Sequence, residues 1–410
     1  MRRVAAVGSY SDPVGALSGI VVLELGNFIA GPFAGQLLGD HGARVIKVEA
    51  PGSGDPMRRW GPTLDDEGVW WPSIARNKES VAIDLRTEPG RGLVRTMATH
   101  VDVVLENFKP GTLDSWGLGY AELAAVNPGL VMVHVSGFGQ TGPMAEQAGF
   151  GSIGEAMGGI RHTTGDPDRP PARTGISLGD SLAALFAVIG TLGALHERSR
   201  SGRGQEVDVA IYEAVSALME TTMADYERLG VTRGRTGSVL PGVAPANAYP
   251  TADGSEIVIA ANADQVFARL CTAMGEPALS SDSRFADHEA RGRNQQVLDA
   301  RVAAWTSRHG ADDVLSLLAS AGVPAGRIYT APDMIDDPQY LAREMVLRIA
   351  NSAGVSAPFA GVVPKMSRTP GAVKSAGPRL GEHTRAVLAE LAGVDAGRLA
   401  ELVEQGTVSA

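Results

Sequence analysis

Gly19-Ile-Val-Val-Leu-Glu-Leu25 and Ala43-Arg-Val-Ile-Lys-Val-Glu49 are short β-branched runs, and the stretch between them reads as a helix from about Pro32. A helix between two apolar strands is a crossover connection, which joins parallel neighbours. The rhythm returns at Ser80-Val-Ala-Ile-Asp-Leu85, Val101-Asp-Val-Val-Leu-Glu106 and Leu130-Val-Met-Val-His-Val135. These near-continuous apolar runs predict a mainly parallel sheet covered by helices on both faces, an α/β fold.

Working outward, residues 1–18 form an N-terminal tail and 19–225 the first part of a large α/β domain. Glu206-Val-Asp-Val-Ala-Ile211 closes the strand series, and Tyr212 to Glu220 is helical. The Gly-, Pro- and Ala-rich segment Gly234 to Pro250 reads as a linker or mobile loop. Beyond it, Glu256-Ile-Val-Ile-Ala-Ala261, helices near 264–274 and 294–320, and Gly326 to Thr330 indicate a smaller α+β domain over 226–330. Residues 331–410 return to the large domain through amphipathic helices at 385–391 and 396–404. The sequence contains no internal repeat.

A chain of 410 residues exceeds the roughly 250–300 that one hydrophobic core sustains, which agrees with two domains. Hydrophobic residues make up 44% and charged residues 20%, the balance of a globular protein. The formal net charge of -10 argues against nucleic acid or an acidic membrane as partner, since both require a basic surface. The run Leu182 to Leu195 falls short of the roughly 18–20 residues that span a bilayer and reads as a helix buried on all sides. The single cysteine, Cys271, permits no internal disulfide and sits in an apolar run as a small buried hydrophobe; a reducing, cytoplasmic setting is expected.

Gly137-Phe-Gly-Gln-Thr-Gly142 matches half of a dinucleotide fingerprint after a strand, but Pro143 and further glycines follow where a helix should start, so it reads as a loop. Gly175-Ile-Ser-Leu-Gly179 matches the nucleophile elbow of the α/β-hydrolases, with His383 available to complete a triad through Ser177; the prolines upstream argue against the strand an elbow needs. Neither a P-loop nor clustered metal-ligand motifs occur, so no metal and no nucleoside triphosphate is expected. Arg58, Arg59, Arg76, Lys78 and Arg86 are candidate phosphate contacts on turns after the early strands, against the plainer reading of solvated surface. His134 reads as a satisfied core histidine.

Asp180 opens the apolar helix. Ser177 and Asp180 have the spacing of a capping box, worth about 1 kcal/mol. The same place suits a nucleophile, because a helix N-terminus favours a carboxylate and the neighbouring glycines admit a substrate. Spacing alone leaves both readings open.

Eight ordered segments carry a resemblance: 30–49, 52–58, 77–85, Glu106-Asn-Phe-Lys-Pro-Gly111, 137–143, Pro170-Pro-Ala-Arg-Thr-Gly-Ile-Ser-Leu-Gly-Asp-Ser181, 201–209 and Leu380-Gly-Glu-His-Thr384. Together they resemble the class III CoA-transferases, the family of formyl-CoA transferase, carnitine CoA-transferase and α-methylacyl-CoA racemase. The resemblance implies a large Rossmann-like domain, an interlocked homodimer, acyl-CoA as substrate, an aspartate nucleophile at Asp180, and CoA contacts at Leu85, Asn107 and Phe108, with Arg58 a further candidate. It implies exchange of CoA between an acyl-CoA and an acid through aspartyl anhydride and aspartyl-CoA thioester. Where the racemases carry His-Asp, this sequence has Phe150-Gly151, so a racemase would need Glu155 or His162 as its base. Arg161 and Arg173 motivate a dicarboxylic acceptor. Besides racemase and serine hydrolase, a CoA-binding protein in which Asp180 only caps a helix is the remaining alternative.

Overall fold

The computed structural model describes residues 15–64, 67–351 and 354–410; positions 1–14 of the N-terminal tail lie outside the described residues. The chain divides into two compact units, one comprising residues up to Ile160, Thr174–Thr221 and Pro338–Ala410, the other Arg161–Arg173 and Thr222–Asp337. The second unit thus begins at 222 rather than 226, ends at 337 rather than 330, and takes in 161–173, which sequence reading leaves in the large domain. Its cause is non-local: Gly237 N–H donates to the Gly165 carbonyl at 3.0 Å, and Arg235 Nε to the Asp166 carbonyl at 3.1 Å. No local pattern reports a pairing across such a separation.

The first unit holds six parallel strands, β1 (Val21–Glu24), β2 (Arg44–Glu49), β3 (Lys78–Ile83), β4 (Val103–Glu106), β5 (Val131–Ser136) and β6 (Glu206–Ala210). Their spatial order is β3-β2-β1-β4-β5-β6, and Val408–Ser409 adds antiparallel to β3. This is the order of doubly wound dinucleotide folds, with the chain reversing direction between β1 and β4. Successive side chains serve opposite faces. Leu23, Ile46, Val81, Val104 and Met132 pack against the returning C-terminal helices through Val387, Leu388, Leu391 and Leu402. Val22, Val45, Val103, Val131 and Val133 meet the helices on the other side.

Four helices position the site: α1 (Ala30–Asp40), α2 (Gly151–Met157), α3 (Leu178–Ser201) and α4 (Ile211–Ser216). The long helix α3 ends at Gly202, whose φ of 76° allows its N–H to reach the Arg198 carbonyl. Leu182, Ala183, Ala184, Ala187 and Ala194 pack into the same core as α1 and the sheet. The helix is not buried on all sides, however. Leu185, Ile189 and Leu192 are exposed, Ile189 by 62%, because small residues on the inner face let the sheet take one side only. At 24 residues, with a mean hydropathy of 1.8 over its most apolar window, α3 is long and apolar enough to cross a membrane by length and composition, yet it serves as a core helix here.

The second unit carries a three-stranded antiparallel sheet, Ala325–Arg327, Glu256–Ala260 and Ala246–Pro250 in that order. Ile257 and Ile259 of its central strand pack on Phe267, Leu270, Leu298 and Val302 of the helices, an α+β core. The segment read as a linker is irregular up to Pro245 and then becomes the edge strand.

Candidate active site

Among the described residues of the first unit, three clefts bear on the position of a site. The largest of these three, about 660 Å³, is lined by residues at the amino ends of the strands, including Ala43, Lys78 and Glu79, together with Lys374 and His383. Open parallel sheets bind ligands at the opposite end, in the crevice outside the carboxyl ends where strand order reverses. Two smaller clefts sit there. One, about 330 Å³, is lined by Asn27, Asn107, Phe108, Ser136, Phe150 and Asp180 among others. Its neighbour, about 340 Å³, is lined by Leu85, Arg86 and Trp116, and shares Asn27, Phe28 and Phe108 with the first. Location favours the smaller pair over the largest.

The turn after β1 forms their common wall, and buried charges hold it. Lys47 Nζ lies 2.9 Å from Glu24 and 2.8 Å from Asp55 and donates to the Gly26 carbonyl at 2.7 Å. Lys78 Nζ reaches the other Glu24 oxygen at 2.7 Å. Asp55 accepts from Phe28 N–H at 3.2 Å and from Met57 N–H at 2.9 Å. Phe28 consequently sits at φ 64°, a left-handed conformation rare for a bulky residue, with its ring edge-on to Trp60 and Phe150. Burial opposes charge on Lys47, but Glu24 and Asp55 outweigh it and hold the ammonium well above its ordinary pKa.

Asn107, the expected CoA contact after β4, completes the clamp. Its Oδ1 accepts from Asn27 N–H and its Nδ2 donates to the Asn27 carbonyl, both at 2.8 Å. The amide therefore fixes the opposite turn while Asn107 lines the cleft. Next to it, Phe108 N–H donates to Glu106 at 2.7 Å, and Glu106 meets His134 Nδ1 at 2.6 Å. His134 is indeed a paired core histidine. Burial works against its protonation, yet Glu106 and then Glu206 raise its pKa above the ordinary value.

Asp180 lies in the first turn of α3, half-buried, lining the same cleft as Asn27 and Asn107. Ser177 is the N-cap residue, but its side chain makes no capping hydrogen bond, so the expected capping box does not form. Gly179 N–H donates instead to the buried carboxylate of Glu155 at 3.3 Å. Glu155 does not line the cleft.

Other expectations resolve differently. Arg58 lines neither cleft; its guanidinium is bidentate to Glu49 at 2.7 Å, reaches the Pro378 carbonyl and stacks 3.9 Å over Trp71. Arg76 is likewise buried against Asp40, and Lys78 against Glu24. Arg86 does line the second cleft, paired with Asp84. Ser177 and His383 form no triad: His383 Nδ1 accepts from Ser80 N–H at 3.2 Å and lines the amino-end cleft, and no strand leads into Ser177. The Gly137 to Gly142 segment is a loop without a following helix. Arg161, His162 and Arg173 belong to the second unit. Burial pushes the Cys271 thiol up to about 11, an inert state. Among the described residues, no group of three or more His, Cys, Asp or Glu side chains is placed to hold a metal ion.

Sequence reasoning missed Phe28 and the Glu106–His134 pair. Both depend on which strands become neighbours, and only Gly26, a turn residue after a strand, hinted at the first.

A family model described as CoA-transferase family III matches residues 17–384. The chain is 56% identical over 395 residues to a succinyl-CoA–D-citramalate CoA-transferase of Chloroflexus aurantiacus, covering 96% of this chain and 98% of that protein. It is 38% identical over 389 residues to the alpha subunit of a succinyl-CoA–L-malate CoA-transferase of Chloroflexus aurantiacus, covering 94% and 91%. A CaiB/BaiF family protein from Brucella suis has a similar solved structure, with a TM-score of 0.81 at 39% identity, over 92% of this chain and 100% of that one.

Proposed function

This chain belongs to CoA-transferase family III and is an enzyme of that family, and from that premise we propose that it moves CoA between an acyl-CoA and a dicarboxylic acid through covalent intermediates on Asp180. The observation that carries this reading is the half-buried Asp180 carboxylate lining a cleft at the sheet's reversal point, beside a second cleft lined by Leu85 and Phe108. Asp180 attacks the thioester carbonyl, the C–S bond breaks, and CoA leaves as thiolate from a mixed anhydride. The thiolate then attacks the aspartyl carbonyl, releasing the donor acid and leaving an aspartyl-CoA thioester. The acceptor carboxylate displaces the thiolate again, and thiolate attack on the acceptor's acyl carbon restores Asp180 and yields the new acyl-CoA. The thioester's free energy is conserved at each step, so the sequence of steps needs no triphosphate and no metal.

CoA is expected across both clefts, with its thioester near Asp180 and contacts at Leu85, Phe108 and the turn that Asn107 holds. The dicarboxylate class is supported by the citramalate and malate named for the relatives. A cytoplasmic homodimer completes the reading. The exposed Leu185, Ile189 and Leu192 face of α3 favours such an assembly, and a pairing with a paralogue is the alternative suggested by a relative made of subunits. The hydrolase reading loses support because His383 accepts from Ser80 N–H and lines the amino-end cleft, and the racemase reading loses one of its two candidate bases, since Glu155 stands outside the cleft while His162 belongs to the second unit.

Incubation with succinyl-CoA and no acceptor, followed by intact mass and peptide mapping, tests the proposal. A CoA adduct on Asp180 is expected, absent from Asp180→Ala and retained in Ser177→Ala. A folded Asp180→Ala enzyme with parental turnover refutes it. Steady-state assays with mono- and dicarboxylate acceptors test the acceptor class, and a preference for monocarboxylates overturns that part.

A further inference from the structure

Gly151 opens helix α2, directly against the nucleophile. A methyl group at this position would overlap Oδ2 of Asp180 and come within 2.7 Å of its Cγ and 3.0 Å of Oδ1. The approach is mutual: a Cβ on Gly179, the residue preceding Asp180, would stand 2.9 Å from the Gly151 carbonyl oxygen. Two helix starts therefore meet through facing glycines, and the Asp180 carboxylate occupies the volume that any side chain at 151 would fill. Gly151 is helical and has no left-handed φ, so backbone conformation does not demand glycine here. The contact with Asp180 supplies a reason for glycine.

We propose that Gly151 is a positioning residue for the nucleophile, leaving a notch that seats the Asp180 carboxylate in its attacking position. The proposal rests on the reading of Asp180 as nucleophile. Its physical basis is that covalent catalysis depends on near-attack geometry, where a displacement of about 1 Å costs on the order of 100-fold in rate. A methyl at 151 rotates or pushes the carboxylate out of the notch, while the Asn27–Asn107 clamp and the Leu85 cleft stay intact. The buried Glu155 carboxylate, packed beneath Gly179, is common to every variant and cannot account for a difference among them.

Gly151→Ala and Gly151→Asp are compared with the parent for melting temperature, kcat, KM for succinyl-CoA, rate of adduct formation on Asp180, and pH–rate profile. Gly151→Ala is expected to melt with the parent, since alanine suits a helix. Its KM should stay within about threefold, while kcat and adduct formation fall about 100-fold. Gly151→Asp places a second carboxylate beside the first, and like charge should move the acidic limb of the profile to higher pH by about one unit. An unchanged kcat in Gly151→Ala, or an unmoved limb in Gly151→Asp, overturns the positioning role. If Asp180→Ala is inactive in the same assays, the nucleophile reading survives that outcome; if Asp180→Ala is fully active, both fall.

Discussion

The two ends of the parallel sheet carry clefts of opposite character. At the amino end lies the larger space, about 660 Å³, with exposed polar residues such as Lys374 and Arg379 on its wall. At the carboxyl end lie two spaces of about 330 and 340 Å³ whose shared wall is held from beneath by Lys47, Asp55 and Asn107. The amino-end wall is tied down as well, Asn77 Oδ1 accepting from Lys374 N–H at 2.7 Å, but it presents exposed side chains to the space, whereas a buried charge cluster lies behind the wall at the carboxyl end. Fixed buried charge at the strand-order reversal, and not volume, favours the carboxyl end as the place for chemistry.

The strongest way to break this contrast is to remove the ion beneath the wall. Lys47→Met leaves Glu24 and Asp55 buried with one cation fewer, and a loss of about 3–5 kcal/mol is expected by urea denaturation. A loss below about 1 kcal/mol would mean that the turn does not depend on the ion cluster. Asn107→Ala deletes both bonds to Asn27; stability should drop by about 2 kcal/mol, and kcat/KM for acyl-CoA by roughly 10- to 100-fold. Unaltered kinetics would show that the clamp is dispensable.

His134 sharpens the comparison through pH. Its folded pKa is raised, so its stabilisation is complete below the ordinary imidazole value near 6.5 and disappears as pH climbs through the raised value. His134→Gln should therefore be less stable than the parent by about 1.5 kcal/mol at pH 5.5, with the gap narrowing at alkaline pH. Paired melting curves across that range check the sign, and a gap that widens contradicts it. The smallest effect is expected at the other end of the sheet: Lys374→Ala should leave stability within about 0.5 kcal/mol and turnover unaltered. A tenfold loss of turnover there would erase the distinction between the two ends.

Much of the architecture was legible because burial writes itself into local composition. The apolar runs at 20–25, 43–49 and 130–135 had to be strands covered on both sides, and the amphipathic pattern after 385 required a partner surface, which β3 and the first core provide. Asp180 was legible as cap, nucleophile or both, and the missing side-chain cap bond at Ser177 is a matter of local geometry that spacing does not report. What stayed hidden depends on long-range neighbours. Arg58 looked like a surface cation because nothing near it in sequence announces Trp71 or Pro378. The grouping of 161–173 with the second unit hinges on hydrogen bonds to Gly237 and Arg235. Gly151 stood out in sequence as a missing proton carrier, whereas its structural meaning is the volume it leaves for Asp180.

The left-handed backbone at Phe28 has a consequence for anyone engineering this enzyme. Its conformation would suit glycine, and relief of about 1–2 kcal/mol of local strain would make Phe28→Gly an attractive entry on a thermostabilisation shortlist. The gain shrinks because glycine frees the unfolded chain by about 0.4–1 kcal/mol. The substitution also strips an aromatic side chain that lines both clefts, so selection for heat resistance alone would erode the compartment proposed for acyl transfer.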